Sequence, residues 1–356
     1  MKKYNFSAGP AILPAPVLEK SAQAVSNWND SGLSLLEISH RSKPFVEVLN
    51  KAESLATELL GVPEGYKVLF LTGGASSQFF MSAMNLLNPE DLAVYIDTGA
   101  WSTKAIKEAK LFGQIEVLAS SKDTNYNYIP KTYDVPQNAK YLHYTSNNTI
   151  FGTQFKEEPS SNCPLISDMS SDIFSRPVDV SRHGMIYAGA QKNMGPAGTT
   201  LVIIREDLLG KVSRTIPTML NYQTHIAKDS SFNTPPVFPI FVSMLTMEWV
   251  KENGGVEKMA TINEQKAAVV YDEIDRNPLF KGTAAKEDRS LMNATFVLEN
   301  ESLGEKFMED ATAAGCVGLK GHRSVGGFRA SIYNAMTMEG VETLRDVMKA
   351  FEQKHA

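Results

Sequence analysis

Tyr187-Ala188-Gly189-Ala190-Gln191-Lys192-Asn193-Met194-Gly195-Pro196-Ala197-Gly198 sets a single lysine where an apolar run breaks into a turn rich in glycine. The run Met185 to Ala190 has the length of a buried strand, and the glycines with Pro196 end it. A lysine is an unusual residue there. Small neighbours let a flat ligand approach closely, and partial burial makes the ammonium easier to deprotonate. Those are the requirements of a lysine that forms a Schiff base with a carbonyl compound. Taken alone, Lys192 reads more readily as a surface lysine in a turn.

Around this stretch, short apolar runs recur at Lys67 to Leu71, Leu92 to Ile96, Ile115 to Leu118, Tyr141 to Tyr144, Leu165 to Ile166 and Leu201 to Ile204. Between them, Ser77 to Leu87 and Ser102 to Phe112 carry apolar residues at helical spacing. Strand alternating with helix predicts an α/β protein whose large domain has a mostly parallel, doubly wound sheet. Ligands in such a layer sit beyond the carboxyl ends of the strands. After Asn233, the prolines Pro235, Pro236 and Pro239 interrupt the chain, and one long helical pattern follows from Ile240 to about Asp275. Ala294 to Leu298, Ser302 to Ala314, Gly326 to Ile332 and Val341 to Phe351 then read as a smaller α+β domain. No internal repeat or low-complexity segment is visible.

Length and composition agree. The chain of 356 residues exceeds one ordinary core, so one large and one small domain are expected. Its net charge of -5 argues against general affinity for nucleic acid, and any anion must be bound locally. The apolar runs are too short to span a bilayer, and Met1 to Pro10 lacks the apolar stretch of a secretory signal. Cys163 and Cys316 stand far apart with no metal-ligand spacing, so neither a disulfide framework nor a metal site is expected. His143, His183, His225 and His355 are read as structural or solvent-exposed. A soluble protein of the reducing cytoplasm fits these features.

The company Lys192 keeps decides its reading. Leu165-Ile166-Ser167-Asp168-Met169-Ser170-Ser171 ends an apolar run on a carboxylate followed by small hydroxyl residues. An aspartate at such a strand end can pair with the protonated pyridine nitrogen of pyridoxal 5′-phosphate (PLP) and keep the ring an electron sink; alone, it could be a helix cap. Leu71-Thr72-Gly73-Gly74-Ala75-Ser76-Ser77 offers strand, glycine turn and helix start, where backbone amides can hold phosphate, though many strand-to-helix turns look alike. Without the lysine of a P-loop, it does not point to a nucleotide kinase. Trp101, after Asp97-Thr98-Gly99-Ala100, could stack on a flat ring or simply fill a core. Ile38-Ser39-His40-Arg41-Ser42 and Gly321-His322-Arg323-Ser324 both join histidine to arginine, a pairing that suits an anionic substrate or a surface salt-bridge network.

Taken together, these residues resemble the phosphoserine aminotransferases, class-V aminotransferases of PLP fold-type I. The resemblance runs from Asn5-Phe6-Ser7-Ala8-Gly9-Pro10-Ala11 and Ser39-His40-Arg41-Ser42 through Gly99-Ala100-Trp101, Ser167-Asp168-Met169-Ser170-Ser171 and Gln191-Lys192-Asn193 to Arg329-Ala330-Ser331-Ile332-Tyr333-Asn334. It implies that Lys192 carries PLP as a Schiff base, Asp168 meets the pyridine nitrogen, Trp101 stacks on the ring and Thr149 approaches the phenolic oxygen. It places Ala75, Ser76, Gln191 and Ser170 near the cofactor phosphate, with Asn233 and Thr234 arriving from a second subunit of a homodimer that shares its active sites. Arg329 takes the substrate α-carboxylate, while His40, Arg41, His322 and Arg323 face its distal phosphate or carboxylate. Some relatives carry an arginine where this chain has Ser76, so the remaining cations carry more of that work here.

The implied reaction is reversible amino transfer between L-phosphoserine with 2-oxoglutarate and 3-phosphohydroxypyruvate with L-glutamate, in L-serine biosynthesis. Use of the phosphorylated hydroxythreonine of pyridoxine biosynthesis stays open. The division that goes with this reading is a large PLP-binding domain of residues 16–258 and a small domain of residues 1–15 and 259–356. A small-amino-acid aminotransferase and a cysteine desulfurase are the nearest rivals on the same fold, but neither cysteine lies in a loop motif suited to a desulfurase. A noncatalytic anion-binding protein could keep the His-Arg pairs, but would have no use for Lys192 with Asp168.

Overall fold

The computed structural model describes residues 2–355. Seven strands form the central sheet: β1 (Tyr66–Leu71), β2 (Leu92–Asp97), β3 (Gln114–Ser120), β4 (Ala139–Thr145), β5 (Leu165–Asp168), β6 (His183–Gly189) and β7 (Thr200–Arg205). Their order across the sheet is β1-β7-β6-β5-β4-β2-β3, and only β7 runs against its neighbours. The mostly parallel α/β layer expected from the alternating pattern is therefore present.

Side chains alternate across each strand, and here both faces are apolar. In β6, Ile186 and Ala188 enter one core while Met185 and Tyr187 enter the other; in β2, Val94 and Ile96 part from Ala93 and Tyr95 in the same way. The first core is closed by α1 (Ala15–Ser26), α2 (Lys43–Leu60) and α5 (Val237–Glu252), the second by α3 (Gly74–Leu86) and α4 (Ala100–Ala109). In α2, Phe45, Val48, Leu49, Ala52, Leu55, Ala56 and Leu59 are buried. Their spacing of three and four residues lays one apolar stripe along the helix. Gly61, left-handed at φ 58°, stops it. Each large apolar side chain so buried contributes about 1.5 to 3 kcal/mol.

The single helical pattern expected from Ile240 to Asp275 is two helices, α5 and α6 (Gly255–Arg276). Asn253 ends α5, and Gly254, at φ 97°, reverses the chain in a conformation that disfavours side chains. Apolar spacing continues on both sides of this break, which is why periodicity alone misses it.

A third core lies around the antiparallel sheet of β8 (Phe280–Gly282), β9 (Asn293–Leu298) and β10 (Phe328–Ser331), with α7 (Gly304–Ala313) and α8 (Met338–His355). Phe280, Phe296, Phe307, Phe328 and Phe351 pack edge to face at its centre. Tyr4 and Phe6 join it, because Tyr4–Asn5 pairs with Cys316–Val317. Helix α6 belongs to both layers: Val256 and Met259 lie in the first core, Ala267, Val270 and Ile274 in the third.

Candidate active site

The parallel strands bring their carboxyl ends to one edge, where Thr145 pairs with Asp168 and Asp168 with Tyr187. Lys192 follows three residues beyond the end of β6. Its loop is closed by Ala190 N–H donating to Thr199 O (3.1 Å) and Gly195 N–H to Ala190 O (2.8 Å), while Ala11 N–H reaches Gln191 O (2.9 Å). Gly9 lies against this loop at φ 143°, and a Cβ there would sit 3.1 Å from Lys192 Cγ. The amino terminus thus passes over the lysine at a distance only glycine tolerates comfortably.

Lys192 Nζ donates to Thr149 Oγ1 at 2.8 Å. Burial lowers its pKa to about 8, against the raising effect of Asp168; Arg329 pushes it down further. Asp168 closes β5 and is buried. Its Oδ1 accepts from Ser170 N (3.0 Å) and Ser170 Oγ (2.7 Å), and Ser170 Oγ in turn accepts from Gly189 N (3.0 Å) on β6. Asp168 Oδ2 accepts no hydrogen bond among the described residues and is open to a cationic partner. Burial raises the Asp168 pKa, and the Ser170 and Lys192 contacts oppose that shift.

Thr149 also joins the two layers, because Arg329 on β10 donates from Nη1 to its carbonyl at 3.3 Å. Arg329 Nε is buried without a partner, as is Trp101 Nε1. The Trp101 ring lies 5.6 Å from Lys192 Nζ. Asp97 holds the start of α4 on which Trp101 sits: it accepts from Ser102 Oγ (2.8 Å), Thr103 Oγ1 (3.0 Å) and Tyr126 (3.2 Å). Ala75 and Ser76 open α3 behind the left-handed Gly73, where a Cβ would meet Ser77 Oγ at 2.0 Å. Gln191 folds its side chain back under Gly189.

The His-Arg pairs behave differently. His322 begins the loop 322–326, whose Ser324 carbonyl accepts from Asn125 (3.3 Å) and whose Val325, like Trp101, packs against Tyr126, Ile150 and Phe151. Burial first, then the charges of Arg329, Arg323 and Lys104, hold the His322 pKa below its ordinary value. His40 and Arg41 lie in the turn before α2; Arg41 is exposed, and no hydrogen bond joins either to Lys192 or Asp168 among the described residues. The same holds for Asn233 and Thr234; Asn233 lines a cleft with Gly73 and Ser77. A single chain therefore brings together Lys192, Asp168, Thr149, Trp101, Ser170 and Arg329.

Of ten arginines, four pair with no carboxylate among the described residues: Arg41, Arg214, Arg323 and Arg329. Arg214 is satisfied by the carbonyls of Leu87 and Phe112. The other three are the arginines singled out from the sequence, and their uncompensated charge suits an anionic ligand. A surface groove lined by Trp28, Val48, Phe241 and Leu245 contains none of these residues. Polar chemistry, not cavity size, marks the site.

Three features escaped the sequence reading. Asp172, one helical turn beyond Asp168, is buried and accepts from Ser146 Oγ and from Gln154 Nε2 (3.2 Å). Asn334 N–H donates to Asn193 Oδ1 (2.9 Å) beside Lys192, while Asn263 Nδ2 donates to Asn334 Oδ1 (2.8 Å). Lys266 is fully buried and donates to the carbonyls of Ile332 (3.0 Å) and Tyr333 (2.7 Å). The Asp-Met-Ser-Ser-Asp spacing was available as a signal for Asp172; nothing local marks the other two.

The chain matches the class-V aminotransferase family over residues 3–344. It is 60% identical to the phosphoserine aminotransferase of Flavobacterium johnsoniae, over 99% of this chain and all of that one. Among solved structures, the phosphoserine aminotransferase of Bacillus circulans subsp. alkalophilus is 47% identical, with a TM-score of 0.96, over 100% of this chain and 99% of that one. The PLP-bound phosphoserine aminotransferase of Trichomonas vaginalis is 38% identical, with a TM-score of 0.93, over 98% of this chain and all of that one. With Lys192 and Arg329 meeting at Thr149 and the buried Asp168 at the neighbouring strand end, these full-length matches lead to one conclusion: the chain belongs to the phosphoserine aminotransferase family of class-V aminotransferases.

Proposed function

We propose that this chain is a PLP-dependent transaminase that moves an amino group reversibly between L-phosphoserine with 2-oxoglutarate and 3-phosphohydroxypyruvate with L-glutamate, in L-serine biosynthesis. The observation that carries this reading is the junction at Thr149, whose hydroxyl meets the lysine and whose carbonyl meets Arg329. The residues present fit the cofactor. An amine of lowered pKa, a buried carboxylate with a free oxygen, an unpartnered indole N–H and a glycine-led helix start together suit a flat, cationic, phosphorylated ring. When bound, PLP supplies the carbonyl that receives the amino group and the electron sink for charge left at the substrate Cα.

The chain's own residues divide the remaining work. Lys192 Nζ anchors the cofactor and, as free amine, takes the proton from Cα and returns it; a pKa near neutrality suits both tasks. Asp168 would face the ring nitrogen and keep it protonated, with Ser170 holding the carboxylate in place. Trp101 would cover one ring face and Thr149 the phenolic oxygen. Ala75, Ser76, Gln191 and Ser170 would hold the cofactor phosphate, joined by Asn233 and Thr234 of a second subunit. Arg329 would clamp the α-carboxylate with a charge that no carboxylate among the described residues pairs with, while His322, Arg323, His40 and Arg41 receive the distal anion.

In this reading the protein is a cytoplasmic homodimer, and residues 16–258 form the cofactor domain with 1–15 and 259–356 as the small one. Two free cysteines suit a reducing compartment. No helix among the described residues is long and apolar enough to cross a membrane.

A paired-substrate assay tests the function. Phosphoserine with 2-oxoglutarate should yield glutamate, whereas unphosphorylated serine should yield far less, and the purified protein should absorb in the near ultraviolet to visible. Equal turnover of both amino acids would remove the phosphate-specific reading. Absence of the absorbance after incubation with PLP would remove the cofactor assignment. Sedimentation at the mass of one chain would remove the shared site.

A further inference from the structure

Lys104 lies one helical turn beyond Trp101 on α4, and its Nζ sits 4.4 Å from the centre of the indole. Lys192 Nζ lies 5.6 Å from the same ring, so the two amines are separated by no more than those distances together. Trp101 and Val325, the latter in the loop that begins at His322, pack against the same cluster of Tyr126, Ile150 and Phe151. One indole thus stands among Lys104, Lys192 and the His322 loop. Lys104 is exposed and pairs with no carboxylate among the described residues. After burial, its charge joins those of Arg329 and Arg323 in lowering the His322 pKa.

We propose that Lys104 is a specificity-determining residue that supplies a cation to the distal phosphate of the substrate. This rests on the transaminase reading above. The geometry is that of the substrate itself. Lys192 must reach Cα, and a phosphate joined through Cβ and an ester oxygen places its outer oxygens roughly 4 to 5 Å from Cα. Adding hydrogen-bond lengths of about 3 Å at each end spans roughly 10 Å between the two amines. The Trp101 ring keeps Lys104 within that reach, because a cation over an indole is attracted without being neutralised. Its charge therefore remains available to a dianion. A distal carboxylate, with one charge, draws less from the same contact.

The test uses the PLP-loaded enzyme and compares Lys104→Gln and Lys104→Arg with the parent. Lys104→Gln should raise the KM for phosphoserine about tenfold, as for loss of one charge-assisted hydrogen bond, with kcat little changed. The KM for glutamate should rise much less, and Lys104→Arg should keep phosphoserine near its parent value. Inorganic phosphate, as a competitive inhibitor against phosphoserine, should bind more weakly to Lys104→Gln, and added salt should raise the phosphoserine KM more steeply in the parent. An unchanged phosphoserine KM, or an equal rise for glutamate, would overturn the assignment. A parent enzyme that does not turn over phosphoserine would instead overturn the transaminase reading on which it rests.

Discussion

Cofactor-free protein offers a direct measurement of the lysine on which the chemistry depends. Lys192 is held at about 8 by burial, against an ordinary 10.5. At pH 7.5 a lysine titrating at about 8 is about one-quarter free amine, whereas one titrating at 10.5 is about one part in a thousand, a difference of roughly two-hundredfold. Competitive labelling with a small amine-reactive compound across pH, read at the Lys192 peptide by mass spectrometry, should therefore give a midpoint near 8, well below that of exposed lysines. The neighbours fix the signs of two further shifts. Asp168→Asn removes a carboxylate that raises the Lys192 pKa, so the midpoint should fall further; Arg329→Ala removes a cation that lowers it, so the midpoint should rise. A midpoint at 10.5, or an upward shift in Asp168→Asn, would refute the assignment of the low pKa to burial at this site.

In the loaded enzyme, Asp168→Asn should retain the near-visible absorbance but lose on the order of 10²- to 10³-fold in kcat, because an amide cannot hold the ring nitrogen protonated; near-normal turnover would place Asp168 elsewhere. Arg41→Ala should raise the KM for phosphoserine at least about tenfold while leaving PLP affinity unchanged, whereas Arg329→Ala should weaken phosphoserine and glutamate alike, measured by steady-state kinetics with both donors. Lys266→Met should lower unfolding stability by about 2 kcal/mol, since buried carbonyls lose their donor. Burial lowers the Lys266 pKa from 10.5 to about 7, so between those values the unfolded chain binds more protons and the native state gains stability as pH rises. Urea titrations from pH 7 to 10 should show that rise in the parent and a smaller one in Lys266→Met.

The chemistry of Lys192 and Asp168 was legible because each lies just past a short apolar run, in a setting of glycine or hydroxyl residues that a surface turn does not need. The inner strands were legible for a related reason: burial on both faces demands uninterrupted apolar runs, as in Val202, Ile203 and Ile204. The break at Gly254 was not, because apolar spacing continues across it. Nor were Asn193, Asn263, Asn334 and Lys266, which stand far apart in the chain and look like ordinary polar residues until folding removes their access to water.

The sequence alone determined the run of strands with α3 and α4 between them, the lysine and aspartate at successive strand ends, and the need for local cations in a chain of net charge -5. Tertiary structure alone decided that Thr149 joins Lys192 to Arg329, that Asp97 holds the Trp101 helix, and that Lys104 shares the indole with Lys192. The division follows from range. Periodicity and turn chemistry are set by neighbours a few residues apart, whereas a hydrogen bond between residues 149 and 329 depends on the packing of two layers against each other.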